Sequence, residues 1–313
     1  MIFLTARLLS PAAGIMAATP KEALPEQKAE PRPGDESAEQ ISPPGVLAEI
    51  PFEYRDDFIW VQVRVRESAA PLSFLLDSGA GASVVNLSTL TRLGKLEGRR
   101  IPVQGVGSST TGYWPEHLTG ADPALPLPEA FVAVDLGSLS SDCKRTIDGL
   151  LGADFFHGRT VQIDFASHRV RLLPGNSFKT GQIVLPLQQH GGELTVPISV
   201  NHGPAQWVRL DTGCAGALHW VSRQIPLKEC RPHVSVALAA LSTPITATSV
   251  QLGSVGFISV PTEIHKSRIF PGEAGLLGNG LLSRFQSITI DTRAGHVLLE
   301  LPLQSSSAAA DKP

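Results

Sequence analysis

Short runs of alternating or continuous apolar residues occupy most of the chain. The stretches "FIWVQVRV" (58–65), "LTVPISV" (194–200), "VQIDF" (161–165), "RVRLL" (169–173), "ITIDT" (288–292) and "HVLLEL" (296–301) fit β-strands, and turn formers bound them. Helical periodicity is confined to short segments around residues 87–93, 154–157 and 281–285. The predicted class is therefore all-β with a few short helices.

The strand pattern occurs twice. "FIWVQVRVRESAAPLSFLLDSGAGASVVN" in the first half matches "LTVPISVNHGPAQWVRLDTGCAGALHW" in the second. Each has a strand, a polar turn, and a second strand that ends in Asp-Ser/Thr-Gly. Further on, "IDGLLGADFFHGRTVQIDFASHRVRLL" matches "EAGLLGNGLLSRFQSITIDTRAGHVLLEL". Gly-Leu-Leu-Gly recurs at 149–152 and 275–278, lying 72 residues after Asp77 and 64 after Asp211. In this alignment Asp154 faces Asn279. Two large copies point to two β-barrel lobes, residues 49–178 and 181–303, related by a pseudo-twofold axis.

Such an axis brings Asp77 and Asp211 together where the lobes meet. Gly79 and Gly213 allow close backbone approach, and the hydroxyls of Ser78 and Thr212 can bond across the interface and fix the two loops. Two carboxylates about 3 Å apart at an effective dielectric near 20 repel by roughly 5–6 kcal/mol if both ionise. One of them then keeps its proton. The ionised member can take a proton from water while the neutral one donates to a carbonyl.

On these motifs the chain resembles the aspartic peptidases. "LLDSGAGASVV" and "RLDTGCAGALHW" look like that family's two active-site loops, and the two "GLLG" segments like its hydrophobic-hydrophobic-Gly element. A carboxyl pair that shares a proton is the known behaviour of that family's dyad. Each lobe is similar to a retropepsin-type subunit. Having both in one chain resembles pepsins or bacterial exported retropepsin-like proteins. The resemblance covers about residues 49–303. It implies an aspartic endopeptidase with Asp77 and Asp211 catalytic, Ser78, Gly79, Thr212 and Gly213 supporting the loops, and no cofactor or metal. It also implies a flap over the substrate, and "IPVQGVGSSTTGYW" (101–114) is the candidate, with Gly105, Val106 and Gly107 near its tip. The flap tyrosine of pepsins is replaced here by Gln104. The expected partner is a peptide or protein substrate, with the chain acting as a monomer. Rival readings are a catalytically idle peptide-binding protein on the same fold, and a peptidase that needs homodimerisation or N-terminal processing.

The residue after each Asp-Ser/Thr-Gly is Ala80 or Cys214, where pepsins carry Ser or Thr. Ala has no donor and a thiol is a weak one, so the carboxylates lose side-chain support for their charged form. A pH–rate profile centred at roughly pH 4.5–6.5 is expected.

Composition narrows the alternatives. The 313 residues carry a net charge of −3 and no basic cluster, which gives no electrostatic case for a nucleic-acid partner. The start, residues 1–18, is apolar and ends in small residues, consistent with a signal segment. Export to the periplasm or medium is expected, or tethering by an uncleaved N-terminus. No later segment is long and apolar enough to span a bilayer. Residues 19–48 are rich in Pro and Glu and read as a flexible linker, and 304–313 as a disordered tail. The cysteines Cys143, Cys214 and Cys230 form no CxxC pair and have no zinc-ligand spacing. Cys214 and Cys230 are the nearer pair for a bridge in an exported protein. Cys214 otherwise reads as a small packed residue. Asp164 and Asp291, at matched strand ends, read as turn residues.

Overall fold

The structure, a computed structural model, describes residues 45–104, 109–123, 125–175, 182–222, 233–234, 242–270 and 272–302. It is built almost wholly from strands. In the first lobe a sheet runs in the order Ala48–Arg55, Phe58–Val63, Leu72–Leu76, Gly149–Leu151, Val84–Asn86, Phe131–Val134, Ser109–Glu116, Arg99–Gln104. In the second lobe the order is Gln188–His190, Glu193–Val200, Gln206–Asp211, Gly275–Gly278, Leu218–Val221, Val255–His265, Ile245–Leu252. There Glu193–Val200 also pairs with Ile245–Leu252, through Ser199 with Gln251 and Val200 with Val250, and curls the sheet into a barrel.

The repeat is visible in how each lobe is threaded. The "GLLG" strand lies parallel to the strand before the Asp and antiparallel to the strand after it. Leu76 is level with Leu151 and Val84 with Leu150 in one lobe; Asp211 is level with Gly278 and Leu218 with Leu277 in the other. Glycine is required because this strand is flanked so closely. A Cβ at Gly149 would lie 2.3 Å from the Phe74 ring and 2.4 Å from the Val84 carbonyl oxygen. At Gly275 it would lie 2.0 Å from the carbonyl oxygen of His219.

A further sheet joins the lobes. Its order is Ile183–Pro186, His296–Glu300, Ser287–Asp291, Thr160–Asp164, Arg169–Leu173 and the first half of Ala48–Arg55. At its centre Thr160–Asp164 and Ser287–Asp291, equivalent strands of the two copies, pair antiparallel. Thr160 faces Asp291, Gln162 faces Thr289 and Asp164 faces Ser287. Exchanging the copies maps this register onto itself, so the pseudo-twofold axis passes between Gln162 and Thr289. Gln162 Nε2 donates to Thr289 Oγ1 at 3.3 Å there. The inward residues Val161, Ile163, Ile288 and Ile290 are completely buried.

Helices are short: Leu87–Arg92, Ala153–Phe156 and Asn279–Leu282 lie where the pattern predicts, and Gly137–Asp142 was not foreseen. That helix reads "GSLSSD", has no side-chain cap, and buries only Leu139. A Ser-rich turn with a single buried residue leaves no helical periodicity to detect.

Gly275→Ala tests the close threading. The clash is with backbone, which cannot swing aside, so a loss of roughly 1–3 kcal/mol or more is expected in urea unfolding. A loss below about 0.5 kcal/mol would show that the strands can part to admit a methyl group.

Candidate active site

The strand Leu72–Leu76 is buried along most of its length and delivers Asp77 into a turn; Gln206–Asp211 ends on Asp211. The Asp77 N–H donates to the Leu151 carbonyl at 2.8 Å, which ties the first turn to its "GLLG" strand. The two turns then grip each other symmetrically. Ser78 Oγ donates to the Leu210 carbonyl at 2.8 Å and accepts from the Thr212 N–H at 3.1 Å. Thr212 Oγ1 donates to the Leu76 carbonyl at 2.9 Å and accepts from the Ser78 N–H at 2.9 Å. Ser78 and Thr212 are both fully buried.

The same symmetry sets the carboxyls against each other. Each packs on the opposite turn's glycine. A Cβ at Gly79 would lie 2.4 Å from Asp211 Cγ, and one at Gly213 2.3 Å from Asp77 Cγ. Any side chain at either position would displace the partner lobe's carboxyl. Asp77 Oδ1 accepts from the N–H groups of Gly79 and Ala80, each at 3.1 Å; Asp211 Oδ1 accepts from Gly213 N–H at 2.9 Å. Asp211 Oδ2 is buried and takes no hydrogen bond from the described residues.

Both carboxyls are pushed above the ordinary aspartate range. For Asp77 burial is the main cause, partly offset by the N–H groups of Ala80 and Gly79, and its pKa is raised to about 6. Asp211 is raised well above the ordinary value by burial and then by the charge of Asp77, with Arg209 acting in the opposite direction. The pair titrates as a unit and retains a proton above the ordinary aspartate range.

Arg209 was not singled out in the sequence. It is almost completely buried in the strand that carries Asp211. Its guanidinium bonds Glu273 through Nε at 2.9 Å and Nη2 at 2.6 Å, and lies 3.8 Å from the Phe270 ring centroid. Nη1 donates to the Gly79 carbonyl at 2.9 Å, so it reaches the opposite turn. The available signal was a lone cation in an apolar strand, where the first copy has Leu75.

Strands Arg99–Gln104 and Ser109–Glu116 form a hairpin with Gln104 level with Ser109; its tip, with Gly105, Val106 and Gly107, lies outside the described residues. Cys214 is a buried free thiol, pushed up by burial and then by the charges of Asp211 and Glu263, which suits packing and not nucleophilic attack. Cys230, its expected bridge partner, lies outside the described residues, as do residues 1–44 and 303–313. Asp164 Oδ1 accepts from Ser167 N–H at 2.9 Å, and Asp291 Oδ1 from Arg293 and Ala294 N–H at 3.1 and 2.9 Å, so both serve turns. The pairing of Asp154 with Asn279 is off by one. Ala153 N–H donates to the Ala80 carbonyl and Asn279 N–H to the Cys214 carbonyl, which makes Ala153 the counterpart of Asn279 and Asp154 that of Gly280. Asp154 instead accepts from Ser83 N–H at 2.9 Å and Ser83 Oγ at 2.6 Å.

No protein-family model matches the sequence, and no curated protein matches it. Solved structures do. An aspartic proteinase from Irpex lacteus superposes with a TM-score of 0.55 at 12% identity, covering 83% of this chain and 98% of that one. A retropepsin-like aspartic protease from Rickettsia conorii gives 0.31 at 18%, covering 39% and 91%. Basic 7S globulin from soybean gives 0.43 at 11%, covering 80% and 93%. The chain has the all-β fold of the aspartic peptidases. Among the described residues no helix is long and apolar enough to cross a membrane.

Two stability measurements probe this centre. Thr212→Val keeps the shape but strands the Ser78 N–H and the Leu76 carbonyl, at about 2–3 kcal/mol, whereas Thr212→Ser should lose under about 1 kcal/mol; equal urea midpoints for the two would remove the crossed hydroxyls from the account. The second concerns pH. Because both Asp pKa values are raised on folding, the native state holds protons that the unfolded chain releases near pH 4, one of them up to about pH 6 and the other to higher pH. The dyad's contribution to stability is therefore full below that window and is lost as pH rises through it. Asp77→Asn should be more stable than wild type at pH 7.5, by up to about 3 kcal/mol, and similar at pH 4. A variant less stable than wild type at pH 7.5 would contradict the raised pKa.

Proposed function

We propose that this protein is an aspartic endopeptidase, active as a single chain whose lobes, residues 49–178 and 181–303, each supply one carboxyl. The observation that carries the reading is the reciprocal packing of Asp77 and Asp211 on each other's glycines, locked by Ser78 and Thr212. Asp77, ionised, takes a proton from a water. Asp211, neutral, donates its proton to the carbonyl oxygen of the scissile peptide. Water oxygen bonds to the carbonyl carbon; the C–N bond of the tetrahedral species then breaks as the amine takes the proton held by Asp77, and one hydroxyl of that species returns a proton to Asp211, which restores the starting pair. The crossed hydroxyls hold both carboxyls rigid, so little reorganisation accompanies the step. The hairpin of Arg99–Gln104 and Ser109–Glu116 is the proposed cover, with Gly105, Val106 and Gly107 offering backbone groups to an extended peptide. No metal or cofactor enters this scheme, and the substrate is a peptide or protein.

Incubation with a diverse peptide library, with and without a pepstatin-type inhibitor, tests the activity. Asp77→Asn and Asp211→Asn should each abolish cleavage, and the double variant should be scarcely worse than either single one. Near-full activity in one single variant would overturn the assignment. Binding of extended peptides without any cleavage by wild type would favour the idle peptide-binding reading.

The profile of kcat/KM should be bell-shaped. Its acid limb reports loss of the pair's first proton, with the Asp77 carboxyl raised to about 6, and its alkaline limb, at higher pH, loss of the second. This puts the optimum at or above the upper edge of the range expected from Ala80 and Cys214. An optimum below about pH 3 would mean that other donors hold the dyad's charge.

A further inference from the structure

The strand Leu218–Val221 runs parallel to the end of Val255–His265, with His219 level with Glu263 and Val221 with His265. Strand side chains alternate, so Glu263 and His265 share a face and His219 stands beside Glu263 on it. The three polar ends converge. His219 Nδ1 is 3.0 Å from His265 Nε2 and 3.5 Å from Glu263 Oε2, and the three ligand atoms all lie within 4.8 Å of one another. His219 and Glu263 are buried and His265 is half-buried. The imidazole rings stack with centroids 5.2 Å apart, at 22°.

Two of these spacings suit a coordination shell. Ligand atoms about 2.0–2.2 Å from one tetrahedral ion stand roughly 3.3–3.5 Å from each other. The His219–His265 and His219–Glu263 separations bracket that edge, before any adjustment by an ion. Two imidazoles and one carboxylate, with a fourth position left for water, are a donor set that zinc accepts.

We propose that His219, Glu263 and His265 bind one divalent transition-metal ion of the zinc type. Its three ligands include neither carboxyl of the pair. It is behind the Asp211 turn: a Cβ at Gly216 would lie 2.9 Å from His219 Nε2 and 3.6 Å from Cys214 Sγ. A bound ion clamps Leu218–Val221 to Val255–His265, next to the strand Gly275–Gly278 that supports Asp211. Its part is structural, and it supplies nothing to the hydrolytic step.

The test uses the full chain stripped with chelator. Calorimetric titration with Zn(II) should give one ion per chain, and Co(II) should develop the visible bands of a four-coordinate N/O site. The thermal midpoint should rise with Zn(II) concentration. Glu263→Gln, nearly isosteric, and His265→Ala, at the half-buried position, should each weaken Zn(II) binding by about 100-fold or more and abolish the midpoint shift. Circular dichroism of the metal-free variants checks that both remain folded. No stoichiometric binding by the intact chain would overturn the proposal and leave a proton-sharing His–His–Glu network. Binding unchanged in both variants would overturn it as well, by placing the ion elsewhere.

Discussion

The structure depends on one register. Thr160–Asp164 and Ser287–Asp291 pair antiparallel about Gln162 and Thr289, and that pairing fixes the pseudo-twofold axis. A slip by one residue would turn Val161, Ile163, Ile288 and Ile290 from the core to the opposite face, so the register is strongly specified by burial. With the axis set, the strands leading to Asp77 and Asp211 meet end to end. The crossed bonds of Ser78 and Thr212 follow from the same symmetry, since each hydroxyl both gives to and receives from the opposite turn.

Holding two carboxyls in a buried place opposes folding unless they are partly neutral or well solvated by the protein. Here both happen. Backbone N–H groups of Gly79, Ala80 and Gly213 face the carboxyls, and burial raises both pKa values so that a proton is retained. The turn N–H groups offset only part of the cost of burial, and Ala80 and Cys214 add no hydroxyl donor. Geometry that favours a shared proton is also what general acid–base chemistry on a carbonyl needs.

The copies have diverged around this common frame. Leu75 is apolar in the first lobe, while its counterpart Arg209 carries a charge held by Glu273 and Phe270 and reaches Gly79 across the interface. The bond joins lobes at a second point, close to the first. Asp154 braces Ser83 in one copy; Asn279, one backbone position earlier in the other, donates through Nδ2 to the Thr212 carbonyl at 2.6 Å. Among the described residues the imidazole–carboxylate cluster is found in the second lobe alone.

Much of this was legible in the sequence because the repeat supplies an internal comparison. Period-two alternation identifies the strands, and the doubled Asp-Ser/Thr-Gly and Gly-Leu-Leu-Gly motifs pick out the residues that must approach closely. The helix Gly137–Asp142 escaped because it buries too little to imprint a pattern. The pairing of Asp154 with Asn279 followed the resemblance of acid and amide, although the Gly-Leu-Leu-Gly repeat already sets Ala153 against Asn279, and the bonds to Ala80 and Cys214 agree with that frame. Arg209 could be seen as an odd charge, but its partners lie 64 and 130 residues away in sequence. His219, Glu263 and His265 leave no mark in the sequence for the same reason: a parallel strand pairing across 46 residues, which no local pattern encodes, sets them side by side. Local periodicity and the internal repeat determined which segments are strands and which turns carry the acids; long-range register decided which distant side chains share a face, because that choice depends on packing of the whole sheet.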